Sequence, residues 1–163
     1  MYTSLLGAEA LDAIEAISLR AFDPRYGEAW NKAQCLSVLA LPGYRIVGAW
    51  LGNAATARLV GYAIIRSVVD ESELLLLAVD PSERRQGVAS LLLDEWLNSA
   101  RERGVVRAFL EMRTDNDAAA LYRRHGFVEI AVRSAYYRGN DGVMRDAVTM
   151  ECRLDSSLTR SDQ

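Results

Sequence analysis

Cysteine and histidine are scarce in this chain of 163 residues, which has two cysteines, Cys35 and Cys152, and one histidine, His125. Two distant cysteines do not make a disulfide framework or a zinc site, and a lone histidine leaves little room for a metal centre or a Ser-His-Asp triad. Basic excess is also missing. The net charge is −3 and the isoelectric point about 5.3, so no global positive field favours nucleic acid. No apolar run is long enough to span a membrane, and the first residues lack the charged start, apolar core and cleavage site of an export signal. These absences lead us to expect a reduced, cytoplasmic setting with no nucleic-acid or membrane partner. Half of the residues are hydrophobic and a quarter charged, the balance of an ordinary globular domain with a full core. One domain over 1–154 is expected, followed by a polar tail at 155–163.

The most informative stretch is Val79-Asp80-Pro81-Ser82-Glu83-Arg84-Arg85-Gln86-Gly87-Val88-Ala89. The apolar run from Leu74 to Val79 reads as a buried strand, Asp80-Pro81 stops it, and Leu91, Leu92, Leu93 and Trp96 begin a helical pattern. Amides at a helix start lack intrahelical partners and lie at the positive end of the helix dipole, which suits an anion such as a pyrophosphate. Gly87 and Ala89 leave room for close approach, and Arg84 and Arg85 add charge. Taken alone, such a turn is more often a solvated surface feature.

Upstream, Ala8 to Phe22 has helical spacing, and a second helix spans Trp30 to Leu39 before Pro42-Gly43. Tyr44 to Leu51 and Arg58 to Val69 read as a hairpin, and Asp70-Glu71-Ser72-Glu73 as the acidic turn into the Leu74 strand. The helix after the central turn ends near Gly104, a C-cap candidate. Val105 to Arg113 follows as a strand parallel to the Leu74 strand, because a helical crossover joins them. A short helix from Ala118 to His125 and two strands, Phe127 to Tyr137 and Ala147 to Leu154, complete the order ααβββαβαββ. This is an α+β domain with a mixed sheet.

Arg84-Arg85-Gln86-Gly87-Val88-Ala89, followed by Asn116, Leu121-Tyr122 and Gly126-Phe127, resembles the two signatures of the GNAT family of N-acetyltransferases, in the right order and at about the right separation. Leu110-Glu111-Met112-Arg113, Tyr136-Tyr137 and Asp146-Ala147 make it most similar to the branch that acetylates the N-terminal alanine of a ribosomal small-subunit protein. The six-residue step from Asn116 to Tyr122 is one shorter than usual, so either Asp115 or Asn116 takes the loop asparagine position.

The resemblance implies acetyl-CoA as cosubstrate and a V-shaped splay between the two central parallel strands. There the backbone of Leu77, Ala78 and Val79 would pair with the pantetheine arm as with a further strand. The pyrophosphate would lie on the amides from Arg85 through Gln86, Gly87, Val88 and Ala89 to Ser90, with Asn116 on the arm. Acetyl transfer needs a neutral amine, and an α-amino group has a pKa of about 7.7 to 8.0, so a nearby base helps at neutral pH. Glu111 is that candidate; its bland alternative is an ion pair with Arg113, two residues on along the same strand face. Tyr122 is the candidate proton donor to the leaving thiolate; its bland alternative is core packing at helical spacing. Trp30, Tyr136 and Tyr137 are candidates for the acceptor slot, with the acidic 70–73 turn and Asp141 attracting a basic peptide. The expected reaction is direct attack without an acetyl-cysteine, in a monomer or weak dimer. A small amine such as a polyamine or amino-sugar as acceptor, or a silent acyl-CoA-binding module, are the competing readings.

Overall fold

The computed structural model describes residues 1–53 and 55–154; the 155–163 tail lies outside the described residues. The elements are β1 (Tyr2–Leu5), α1 (Leu11–Ala21), α2 (Lys32–Leu39), β2 (Tyr44–Leu51), β3 (Arg58–Val68), β4 (Glu71–Val79), α3 (Val88–Glu102), β5 (Arg107–Arg113), α4 (Ala119–Arg124), β6 (Val128–Arg138) and β7 (Met144–Arg153). They form one sheet in the order β1-β2-β3-β4-β5-β7-β6, in which only the β4–β5 pair is parallel. The α3 crossover makes that pair parallel, as its length requires. Among the described residues no helix is long and apolar enough to cross a membrane.

The sheet is covered on both faces. On one, α3 buries Val88, Leu92, Leu93, Trp96, Leu97 and Ala100, spaced so that one stripe faces the strands. Trp96 is fully buried, stacks on Phe127 at 5.7 Å and donates its indole N–H to Ser72 Oγ at 2.8 Å, so its one polar atom is satisfied. On the other face, α1 and α2 bury Leu11, Ile14, Ile17, Cys35 and Val38 against Ile46, Tyr62 and Ile64. The α2 start is fixed by a capping box, in which Asn31 and Gln34 satisfy each other's backbone N–H groups.

Two corrections to the expected order follow. An additional strand, β1, pairs antiparallel with β2. It is four residues long and mostly exposed, so its sequence carries no buried alternation. The acidic segment is also not a turn: Glu71, Ser72 and Glu73 lie within β4, paired with Val68, Ser67 and Arg66, and the reversal is made by Val69 and Asp70 alone.

Within β4 one residue is out of step. Ile64 pairs with Leu76 and Ile65 with Leu74, leaving Leu75 as a β-bulge. Before it, Ser72 and Leu74 face α3; after it, Leu76 and Ala78 face α1. The β4–β5 ladder stops at the same place, with Leu74 opposite Leu110, although β4 continues to Val79 and β5 to Arg113. The two strands therefore splay, and the β5-facing edge of β4 beyond Leu74 has no strand partner among the described residues.

Candidate active site

The splay opens toward the turn after β4. Asp80 begins that turn, with its carboxylate accepting from Ser82 N–H and Oγ and from Arg20 Nη2 at 2.7 Å. These donors hold the carboxyl at a pKa of about 2, Arg20 contributing most. Arg85 and Gly87 both have positive φ, at 65° and 84°. Helical bonding first appears at Leu91 N–H to Gly87 O, so the six amides from Arg85 to Ser90 have no backbone acceptor among the described residues. Alternating hand and free N–H groups make a concave anion cradle, and the strained Arg85 has the character of a functional site. A Cβ placed on Gly87 would meet nothing within 4 Å, so the space above the cradle is open. These features fit a pyrophosphate. Arg84 departs from expectation: its guanidinium donates to Ala21 O at 2.7 Å and tethers the turn to the end of α1.

On the α1 side of the sheet, β5 presents Phe109, Glu111 and Arg113. Glu111 accepts a hydrogen bond from the Tyr137 phenol at 3.1 Å, lies 3.5 Å from Thr149 Oγ1 on the paired strand, and faces Arg133 at 3.7 Å. Arg113 is not its partner; that buried guanidinium pairs with Glu28 at 2.7 Å and with Asp115. Burial, and then the Glu111 charge, push the Tyr137 phenol well above its ordinary pKa. Tyr136 is exposed, edge-on to Tyr137 at 5.3 Å and under Arg133. The tyrosine pair thus straddles β6, with the inner ring on the candidate base.

A cleft of about 440 Å³ runs from Glu111 along this face, lined by Thr149, Arg133, Phe109, Glu73 and Arg66 among others. Glu73 is half-buried, and its pKa is raised, chiefly by burial and further by Glu111, against the pull of Arg66. It makes no ion pair or hydrogen bond among the described residues, since Arg66 instead lies over the Tyr44 ring.

Tyr122, on α4, is 7 % exposed and edge-on to Phe127. Burial, and then the charge of Glu28, raise its pKa to about 12, and its hydroxyl has no hydrogen-bond partner among the described residues. It is therefore a protonated O–H donor throughout the neutral range. Asn116 Oδ1 is occupied by Ala118 N–H at 2.9 Å, an Asx turn that starts α4, while Asp115 engages Arg113 and Arg145. Asn116 keeps only its amide N–H groups for a ligand. Trp30 packs with Phe22 and Leu39 against the α1–α2 core. Asp141 is paired with Arg145 at 2.5 Å, and that partner above all holds its pKa at about 2. Both cysteines are buried and their pKa values raised by burial, which keeps them as thiols.

Sequence reasoning missed Tyr26, Glu28, Thr149 and Arg133, and the Glu111–Arg113 ion pair weighed as the alternative to a catalytic Glu111 does not form. Period-two alternation placed Arg113 on the right face, but nothing local signals Glu28, which meets it across 85 residues.

The model of the Acetyltransferase (GNAT) family matches residues 11–127. The [Ribosomal protein bS18]-alanine N-acetyltransferases of Haemophilus influenzae and Escherichia coli K12 are 36% and 40% identical over 97 and 94 residues, covering 60% and 57% of this chain. Those matches span just under two thirds of the relatives' own length, 66% and 63%. The N-alpha-acetyltransferase RimI of Mycobacterium tuberculosis is 42% identical over 134 residues, 79% of this chain and 77% of that protein. Among solved structures, the ribosomal-protein-S18-alanine N-acetyltransferase from Escherichia coli superposes with a TM-score of 0.82 at 30% identity, covering 99% of this chain and 98% of that one. Ard1 from Thermoplasma volcanium gives 0.75 at 27% identity, with coverages of 94% and 97%. With its amide cradle, splayed strands and facing carboxylate, the chain belongs to the GNAT acetyltransferase family.

Proposed function

We propose that this protein is an acetyl-CoA-dependent N-acetyltransferase that acetylates the N-terminal α-amino group of a protein by direct transfer, with an alanine-initiated ribosomal small-subunit protein as acceptor. The observation that carries the proposal is a β4–β5 splay that opens off six amides without a backbone acceptor among the described residues, with the carboxylate of Glu111 one residue past the end of the β4–β5 ladder and the phenol of Tyr122 on α4 without a hydrogen-bond partner among the described residues.

In this reading the amides of Arg85 to Ser90 hold the pyrophosphate, and the unpaired edge of Leu77, Ala78 and Val79 takes the pantetheine amides. Glu111, oriented by Tyr137, accepts the proton that the acceptor ammonium must lose. The amine nitrogen then bonds to the thioester carbonyl carbon, the carbon–sulfur bond breaks and Tyr122 gives its proton to the departing sulfur; the proton shed by the new amide nitrogen restores the phenol, and Glu111 releases the proton it took to solvent. Neither cysteine is exposed for a covalent detour. The acceptor's first residues run in the cleft beside Tyr136 and Tyr137. The likeness to the ribosomal-protein and N-alpha-acetyltransferases supports this acceptor class.

The test is thiol release from acetyl-CoA with an acceptor panel. Alanine-initiated basic peptides are expected to be used, with acetylation mapped to the α-amine. Release with a polyamine or amino-sugar but with no peptide would overturn the acceptor. No release with any amine, alongside stabilisation by acetyl-CoA, would replace the enzyme with a binding module.

A further inference from the structure

The segment joining α1 to α2 is held by a contact that the proposed chemistry does not use. It makes a tight turn at Pro24–Tyr26, begun by Asp23, whose side chain accepts Arg25 N–H, and closed by Gly27 at φ 68°. The Tyr26 ring receives the guanidinium of Arg113 at 3.4 Å and that of Arg145 at 4.8 Å from its centroid. Two hydrogen bonds reinforce the contact: Asn140 Nδ2 donates to Pro24 O at 2.7 Å, and Asp141 N–H donates to Arg25 O at 3.3 Å. Gly139 is part of the fit, since a Cβ there would lie 2.7 Å from Arg25 O. The α1–α2 segment is therefore docked on the β6–β7 loop, across more than a hundred residues of sequence.

The same guanidiniums are committed on their other sides. Arg113 pairs with Glu28 and Arg145 with Asp141, so each cation stacked on Tyr26 is also fixed by a carboxylate. A guanidinium held at both its charge and its face cannot swing without losing both contacts. Glu28 is thereby fixed on Arg113, two residues along β5 from Glu111, whose carboxylate accepts from Tyr137. Among the described residues, nothing in this network bonds to the amides of Arg85 to Ser90.

Resting on the acceptor reading above, we propose that Tyr26 is a positioning residue for the acceptor: its ring, stacked against Arg113 and Arg145, docks the α1–α2 segment on the β6–β7 loop and sets Glu28 at the acceptor side of the site. The consequence is selective. Loosening the clasp weakens acceptor binding and leaves the acetyl-CoA site unchanged.

The experiment compares the full-length protein with Tyr26→Phe, Tyr26→Leu and Asn140→Ala, measuring kcat and both KM values with an alanine-initiated basic peptide. Tyr26→Leu is expected to raise the acceptor KM about five- to tenfold, with the KM for acetyl-CoA and the kcat within about twofold of the parent. Tyr26→Phe keeps the aromatic face and is expected to stay near the parent. Asn140→Ala removes one inter-loop hydrogen bond without touching the ring, and is expected to raise the acceptor KM about threefold even where Tyr26→Leu fails to fold. An unmoved acceptor KM in Asn140→Ala or in folded Tyr26→Leu overturns the proposal, as do equal changes in Tyr26→Phe and Tyr26→Leu or a parallel rise in both KM values. If the parent protein uses no peptide at all, it is the acceptor reading that has failed, and the proposal falls with it.

Discussion

Tyr137 and Glu111 are separated by 26 residues of sequence and by 3.1 Å in space, the phenol donating to the carboxylate. This bond fixes one oxygen of Glu111 and leaves the other toward Thr149 and Arg133 at the cleft. A base must be aimed before it can be useful, and in the role proposed for Glu111 the aim comes from β6. Glu111→Gln can still accept from Tyr137 but cannot take a proton. It is expected to slow acetyl transfer by about 10²–10³-fold. The deficit should be greatest below about pH 8, where an α-amine is mostly protonated. A pH–rate profile unchanged in shape would remove Glu111 from the base role.

Tyr122 is expected to separate activity from stability. Its hydroxyl has no partner among the described residues, so Tyr122→Phe removes no internal hydrogen bond and should leave the melting temperature unchanged or slightly higher. The kcat is expected to fall about 10- to 100-fold if the hydroxyl protonates the leaving sulfur. With the phenol's pKa at about 12, its ionisation gives the parent enzyme no loss of rate up to about pH 10. Steady-state rates from pH 7 to 10 check both points.

Gly87 tests the cradle. Its φ of 84° makes alanine strained by about 1–2 kcal/mol, while asparagine tolerates that conformation better. Added side-chain atoms would meet no protein, only the space above the free amides. Gly87→Asn is therefore expected to keep most of the folding stability and to lose most of the melting-temperature rise given by coenzyme A. A full ligand-induced rise in Gly87→Asn would place the pyrophosphate elsewhere.

Glu73 carries a stability cost with a definite sign. Burial and Glu111 raise its folded-state pKa above the unfolded value, so its favourable contribution exists only at low pH and is lost as pH rises through the folded pKa. In its ionised form it is a half-buried charge without a partner among the described residues. Glu73→Gln is expected to raise the melting temperature at pH 7, with the gain closing below about pH 4. Thermal melts of both proteins from pH 3.5 to 8 decide it, and a gain that grows toward low pH would reverse the assignment.

Much of the architecture was legible because it rests on local periodicity. The Leu11, Ile14, Ile17 stripe, the β2–β3 hairpin, and the helix that starts after Gly87 all follow from spacing and turn residues. The turn after β4 was legible too, since a strand stop, a glycine and a helix start are adjacent in the chain. The Leu75 bulge was not, because Leu74 to Leu77 is an unbroken leucine run and shows no alternation that an extra residue could interrupt. The acidic residues Glu71 to Glu73 read as a turn because charge suggests solvent, yet Arg66 and Arg107 accompany them within the sheet. Asn116 and Arg84 were placed in the right loops, but which neighbour each side chain would choose depends on segments brought together only by folding. Tyr26 and Glu28 were invisible for the same reason, their partners lying 85 or more residues away.

Leu75 gives β4 two side-chain frames in one strand. Up to the bulge, even-numbered residues belong to the α3 layer and odd-numbered Glu71 and Glu73 to the cleft beside Glu111; beyond it, even-numbered Leu76 and Ala78 belong to the α1 layer. Deleting one leucine of this run would make Leu74 and Leu76 neighbours opposite Ile65 and Ile64, on the two faces they already occupy, and every other side chain of the strand would keep its layer. The run is thus one leucine longer than alternation needs, and what the extra residue adds is a local bend and twist of the strand rather than the placing of its side chains.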